Sequence, residues 1–213
     1  DTVVLVRIVE RSTSLSKRAL DIGADGIIVP WMEKVEEVEE AVRDCRYPPE
    51  GRRGIGGERA TVWGQCLSEH ANEANENVLV IPLIESINAV PNVANMCKVD
   101  GIDLFFFGPA DFSASAGYRG QWEGPGVAEQ ILELKDIINA AGKHCGVMST
   151  SVQNLTERRD QGFRMLALGP DSGLLMRSMH QSLQAVDCDL MPATSLDPTD
   201  GKPVSKSDTK IKK

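Results

Sequence analysis

Apolar and polar positions follow two rhythms along this chain. Short uninterrupted apolar runs are separated by longer stretches in which apolar residues recur every three or four positions. "TVVLVRI" (2–8), "GIIVP" (26–30), "VLVIPLIES" (78–86), "GIDLFFFGP" (101–109), "HCGVMS" (144–149) and "FRMLALGPD" (163–171) are the apolar runs. Their length and their β-branched and aromatic content predict buried strands. Between them, Leu15, Ala19 and Ile22 are spaced as one face of a helix, as are Val35, Val38, Val42 and Cys45, then Val127, Ile131, Leu134 and Ile138. These stretches, with a polar one before residue 78, "SVQNLTERRDQG" (151–162) and a last one around His180, predict amphipathic helices.

Three junctions share one pattern. "IGADGIIVP", "VDGIDLFFFGP" and "DQGFRMLALGP" each pass from a helix-ending glycine through a continuous apolar strand to a proline. Strands without polar alternation, taken in turn with helices, predict a parallel sheet covered on both faces. Regular βα repetition predicts a TIM-type (β/α)8 barrel. No GxGxxG follows the first strand, which argues against a dinucleotide-binding domain. Only six strands can be counted, and residue 1 is an aspartate immediately ahead of the first run. The expectation is a barrel domain over 1–188 that lacks its first two βα units and leaves two sheet edges open. The end of the chain, 189–213, holds almost no large apolar residue and is rich in Pro, Ser, Thr, Asp and Lys. It is expected to be a disordered polar tail.

Composition narrows the setting. A net charge of −8 over 213 residues argues against a nucleic-acid partner. No apolar run approaches the roughly 20 residues of a membrane span. The five cysteines are scattered, with no CxxC pair, which reads as reduced thiols in a cytoplasmic protein and as no zinc site.

Candidate chemistry follows from the barrel geometry. Active sites of such barrels lie at the C-terminal ends of the strands. That rule gathers Arg7, Glu85, Asp111 and Asp171 at one rim, with Pro30, Trp31 and Met148 beside them. Glu85 and Asp111 would suit a hard divalent cation, Mg²⁺ or Mn²⁺, that keeps waters for substrate oxygens to displace. Arg7 offers a rigid fork for a carboxylate or an enolate. The same spacing also fits strand-end carboxylates that pair with a cation or cap a helix. No strand ends in a lysine, so Schiff-base chemistry is disfavoured and metal-assisted chemistry is favoured. His70, His144 and His180 are not placed as rim bases. "RYPPEGRRGIGGERA" (46–60) lacks the GK[ST] of a phosphate loop, so the default for Arg52, Arg53 and Arg59 is a solvated Pro/Gly loop. Trp31 and Trp63 are expected to serve in packing.

Several strings, taken together and in order over about 2–186, resemble the HpcH/HpaI aldolase family. They are "VRI", "IIVPWMEKVEEVEEAVRDCRYPPEGRRGIG", "PLIES", "GIDLFFFGPADFSASAGY", "AGKHCGV" and "LALGPDSGLL". The resemblance implies a class II, metal-dependent pyruvate aldolase on a barrel, assembled as a homo-oligomer, usually a hexamer. Glu85 and Asp111 would hold Mg²⁺, Mn²⁺ or Co²⁺. The substrate would be a 2-oxo acid, contacted by Arg7, by the Gly108-Pro109-Ala110-Asp111 turn and by Met148 near the aldehyde pocket. Arg7 would stabilise the enolate oxygen.

Two departures accompany it. Leu83 stands where the family often has a glutamine before the metal glutamate. The family's acid/base histidine and its aspartate partner belong to N-terminal strands outside this chain. Weak or absent retro-aldol activity is therefore expected. The alternatives are a CoA-ester lyase of the citrate-lyase β type and a non-catalytic oligomeric homologue.

Overall fold

A computed structural model describes residues 2–118, 121–122 and 124–186. The expected polar tail, 189–213, lies outside the described residues. In chain order the elements are β1 (Leu5–Arg7), α1 (Thr13–Asp21), β2 (Gly26–Val29), α2 (Val35–Cys45), α3 (Leu67–Asn77), β3 (Leu79–Ile84), α4 (Val93–Met96), β4 (Leu104–Phe107), α5 (Pro109–Ser115), α6 (Ala128–Ala140), β5 (His144–Met148), α7 (Val152–Asp160), β6 (Met165–Ala167) and α8 (Asp171–Gln184). Short 3-10 turns at Arg59–Thr61 and Ile87–Asn92 precede α3 and α4.

Helix starts follow local capping chemistry. The Ser12 hydroxyl accepts from Leu15 N–H to open α1, and the Ser151 hydroxyl accepts from Asn154 N–H to open α7. At α2 the Glu37 carboxylate reaches back to the Glu33 and Lys34 N–H groups. Gly23, at φ 101, carries the chain from α1 towards β2 in a left-handed conformation that costs glycine little.

The six strands form one parallel sheet in sequence order, each strand beside its successor. The sheet curls into a half-barrel with helices outside. Among the described residues it is open, with β1 and β6 as edges: the six expected strands are there, and a closed barrel is not seen.

Alternation along each strand separates two apolar layers. Ile27, Val29, Val80, Ile84, Phe105, Phe107, Cys145 and Val147 pack with the helices in the main core. Phe105, Phe107 and Phe112 are fully buried, and Phe107 meets Phe163 edge to face at 6.3 Å. The inner side of the sheet holds a smaller cluster: Ile81, Leu83 and Phe106, flanked by the half-buried Leu5, Ile28, Leu104, Met148 and Met165. Half-burial there follows from the open curl, because among the described residues no facing strand covers those side chains.

The 46–60 loop departs from the solvated reading. Asn75 of α3 clamps Tyr47, accepting from its N–H at 2.7 Å and donating to its carbonyl at 3.1 Å. Arg52 pairs with Asp44 and Glu40 of α2. Arg53 is 2% exposed, pairs with Asp21 at 2.9 Å, and lies over the Tyr47 ring at 4.5 Å. Two of the three arginines thus belong to the fold; Arg59 is exposed.

No described helix is long and apolar enough to cross a membrane. Cys45, Cys97 and Cys145 are buried free thiols and Cys66 is an exposed one. Burial pushes the Cys45 and Cys145 thiols up to about 12, so neither is a thiolate near neutral pH.

Candidate active site

Period-two geometry selects which strand-end residues meet. Leu5 and Leu83 lie on the inner side of the sheet. Two residues further along each strand are Arg7 and Glu85, which therefore face the same interior. The β3–β4 register pairs Leu83 with Phe106, so the next inward pair is Glu85 with Gly108. A Cβ added at Gly108 would come within 2.9 Å of Glu85 Cβ and 3.0 Å of Glu85 Oε2. Glycine at 108 is what lets the Glu85 carboxylate lie across the end of β4.

Glu85 is 2% exposed and is held from several sides. Trp31 N–H donates to Oε1 at 3.0 Å. Trp31 reaches that position with φ 55, a left-handed backbone unusual for a residue with a Cβ. Met32 N–H donates to the Leu83 carbonyl at 3.3 Å and fixes the same turn to β3. The Arg7 guanidinium stands 3.8 Å from Oε2, an ion pair beyond hydrogen-bond length. Burial pushes the Glu85 carboxyl above its ordinary value, against the Trp31 N–H and Arg7, which lower it. The charge of the neighbouring Asp111 raises it further.

Asp111 reaches this point because β4 runs straight into α5. Pro109 occupies the first turn, where a missing N–H costs nothing. The first helical bond there is Phe112 N–H to the Gly108 carbonyl, which leaves the N–H groups of Ala110 and Asp111 without an intrahelical acceptor. Ser115 anchors α5 beside Glu85 by accepting from Ile87 N–H at 2.9 Å. Phe112 is buried beneath, while Ala110 and Asp111 are exposed.

The structure brings Arg7, Glu85, Gly108 and Asp111 together. Met148 ends β5 on the inner side, half-buried, in register with Ala167. Asp171 is not drawn in: it heads α8, accepts from Ser172 N–H, and among the described residues has no ion pair or hydrogen bond to Arg7, Glu85 or Asp111. His70 lies in α3, His144 opens β5 at its N-terminal end, and His180 is buried in α8. The role of the Trp31 N–H was not foreseeable, because a main-chain donor leaves no mark on the side-chain pattern.

The donor set suits a hard cation. Two carboxylates, one buried and one exposed, share a site, and the charge of Asp111 makes Glu85 costlier to ionise. Among the described residues no group of three or more His, Cys, Asp or Glu could hold a metal ion. Two carboxylates alone would leave most positions around a hard cation to water and substrate oxygens.

Comparison with known proteins places this arrangement. Residues 1–178 match the model of the family described as HpcH/HpaI aldolase/citrate lyase. A 4-hydroxy-2-oxovalerate aldolase from Rhodococcus jostii is 38% identical, over 83% of this chain and 68% of that protein. A hydroxypyruvate/pyruvate aldolase from Delftia acidovorans is 37% identical, over 82% of this chain and 65% of that protein. The crystal structure of an HpcH/HpaI aldolase/citrate lyase family protein from Burkholderia cenocepacia superposes with a TM-score of 0.82 at 32% identity, covering 86% of this chain and 73% of that one. The chain spans about two thirds of the length of these curated relatives. On the match over 178 residues, the shared sheet and the level of identity, this chain belongs to the HpcH/HpaI aldolase/citrate lyase family.

Proposed function

We propose that this chain carries the metal-binding and oxo-acid-binding half of a class II pyruvate aldolase, which cleaves a 4-hydroxy-2-oxo acid into pyruvate and an aldehyde. The observation that carries the reading is the Arg7–Glu85–Asp111 cluster on one inner rim of the sheet. Glu85 and Asp111 would hold the divalent cation, Mg²⁺, Mn²⁺ or Co²⁺, which acts as a Lewis acid on the substrate's oxo and carboxylate oxygens. The aldolase names of the curated relatives favour aldol cleavage over a CoA-ester reaction.

The remaining steps belong to this chain's own groups. In the cleavage the C3–C4 bond breaks and its electron pair moves towards the 2-oxo oxygen. Arg7, 57% exposed and 3.8 Å from Glu85, meets the negative charge that develops there. The unpaired N–H groups of Ala110 and Asp111, beside Gly108 and Pro109, offer donors to the substrate carboxylate. Met148 lines the side from which the aldehyde leaves. Cleavage also requires a base for the proton of the 4-hydroxyl. Among the described residues no histidine stands at this rim, so turnover by the 213-residue chain should be weak.

The reading includes a homo-oligomer. Its support is α8, where Leu174, Leu175, Met176 and Met179 are exposed.

Calorimetry with Mn²⁺ tests the site directly. Binding is expected for the wild-type chain and should be lost in Glu85→Ala and in Asp111→Ala. Unchanged binding in either variant would remove the proposed ligands. A coupled pyruvate-release assay reads the residual turnover, which should require Arg7 and added metal.

A further inference from the structure

Beyond the sheet, the two segments that carry the candidate ligands share one tether. Gly108 N–H donates to the Ile84 carbonyl at 3.1 Å, where β3 and β4 end. From there β3 passes through Glu85 and Ser86 into the 3-10 turn at Ile87–Asn92, and β4 passes into α5. Among the described residues, one hydrogen bond joins 86–92 to α5: Ile87 N–H donates to Ser115 Oγ at 2.9 Å. Asn88 and Asn92 bond elsewhere, to Glu33. The Ser115 hydroxyl gives its own proton to the Phe112 carbonyl at 2.8 Å. A hydroxyl has one proton to donate and lone pairs free to accept, so the two bonds coexist, and the first fixes the rotamer that the second needs.

The helix α5 cannot hold its position unaided. Seven residues are too few for a helix that stands without tertiary support. Phe112 is fully buried and pins one face to the core. Ser113 uses its hydroxyl inside the helix, on the Ala110 carbonyl at 2.7 Å. Past Ser115, the N–H groups of Ala116, Gly117 and Tyr118 turn back to Phe112, Ala114 and Ser113, not to the sheet. The helix thus has a pivot at Phe112 and a tether at Ser115. Asp111 sits one residue ahead of the pivot, so a swing of α5 about Phe112 moves its carboxylate relative to Glu85.

The site itself loads this tether. Asp111 and Glu85 are like charges close enough to act on one another, which pushes their two segments apart. The spacing at which they are held then bears on which ion they suit. Mg²⁺ takes oxygen ligands at about 2.0–2.1 Å and in strict geometry, whereas Ca²⁺ takes them at about 2.3–2.6 Å and tolerates flexible ones. Carboxylates on tethered segments favour the small ion, and loosened segments adapt to the large one.

We infer that Ser115 is a positioning residue of the candidate cation site, and that its hydroxyl, bridging the Phe112 carbonyl and the Ile87 N–H, sets the gap between Asp111 and Glu85 and so the preference for a small hard cation over Ca²⁺. The inference rests on the metal reading of Glu85 and Asp111 given above.

Calorimetry on the full chain reads Mn²⁺ affinity, and displacement of Mn²⁺ by Mg²⁺ and by Ca²⁺ reads the preference. Ser115→Ala removes the acceptor and should weaken Mn²⁺ about tenfold, the equivalent of one lost hydrogen bond. Ca²⁺ affinity should change little, so the Mg²⁺-to-Ca²⁺ preference falls. Ser115→Thr keeps a hydroxyl able to bond the same carbonyl and should restore both values. In EDTA, circular dichroism of Ser115→Ala should stay native, with faster amide exchange at Ile87 and unchanged exchange in β3 and β4. If that variant does not fold, Ser115→Cys, similar in size with only a weak acceptor, decides. Absence of Mn²⁺ binding by the wild type would overturn the metal reading and this inference with it. Equal Mn²⁺ affinity in wild type and Ser115→Ala would overturn the inference alone. Equal losses of Mg²⁺ and Ca²⁺, or no recovery in Ser115→Thr, would overturn it too, by making the serine a general support of the fold.

Discussion

Glu85 shows how a single side chain can be both expensive and useful. It is buried, close to another carboxylate, and held by a main-chain donor and a half-exposed arginine. Its pKa is raised, so between the ordinary carboxylate value and the folded value the native chain binds more protons than the unfolded one. Stability contributed by the protonated form is present at low pH and is lost as pH rises through that window. In EDTA, denaturant midpoints of the wild type should therefore fall relative to Glu85→Gln as pH climbs from about the ordinary value, and added Mn²⁺ should restore them. A constant difference across the series would show that the carboxylate titrates normally. Trp31 gives a second test. Its left-handed backbone, not its indole, presents the N–H to Glu85. Trp31→Gly should keep Mn²⁺ affinity, whereas Trp31→Val, β-branched and poorly suited to positive φ, should weaken it. Equal loss in both would assign the role to the indole.

At the scale of elements, the 46–60 loop is tied down more firmly than its composition suggests. Asn75→Ala removes both hydrogen bonds to the Tyr47 main chain and should cost about 1–3 kcal/mol in chemical denaturation, with faster amide exchange confined to the loop and α3. Global rather than local loosening would mean that the clamp serves the whole core. Strands were the most legible elements because burial on both faces writes continuous apolar runs; the fourth, expected over 101–109, is centred on Leu104–Phe107. α5 was not legible. "PADFSAS" has no amphipathic repeat, and its seven residues depend on Phe112 packing and on the Ser115 bond rather than on propensity. The burial of Arg53 was hidden for a related reason: an arginine looks the same in sequence whether it is solvated or paired with an aspartate 32 positions away. Glu85 and Asp111 were legible because strand-end position alone nominates them, whereas Asp171, nominated by the same rule, lies apart from them.

Across the whole molecule, the outer layer holds most of the buried apolar core and the inner layer carries the candidate site. The helix-facing core is continuous from α1 to α6, while the inner cluster has three buried residues and a half-buried fringe. Phe107→Ala, in the outer layer, should cost about 3–5 kcal/mol and lower the denaturation midpoint without altering the number of Mn²⁺ sites per folded chain. Loss of metal binding in the folded variant would instead mean that the outer core positions Glu85. Size-exclusion chromatography with light scattering reads the oligomer, and charged substitutions at Leu175 and Met179 should reduce it if α8 is an assembly surface.

The alternation along β3 has a consequence for how such a chain can evolve. Leu83 and Glu85 both face inward because a single residue, Ile84, stands between the inner cluster and the rim. Point changes within 79–84 alter packing and leave that parity intact. A single inserted or deleted residue there would turn Glu85 to the helix side and Ile84 to the interior. Lineages can therefore diverge widely in side chains along this strand while its length stays fixed, and length variation should gather in the connections that precede the helices.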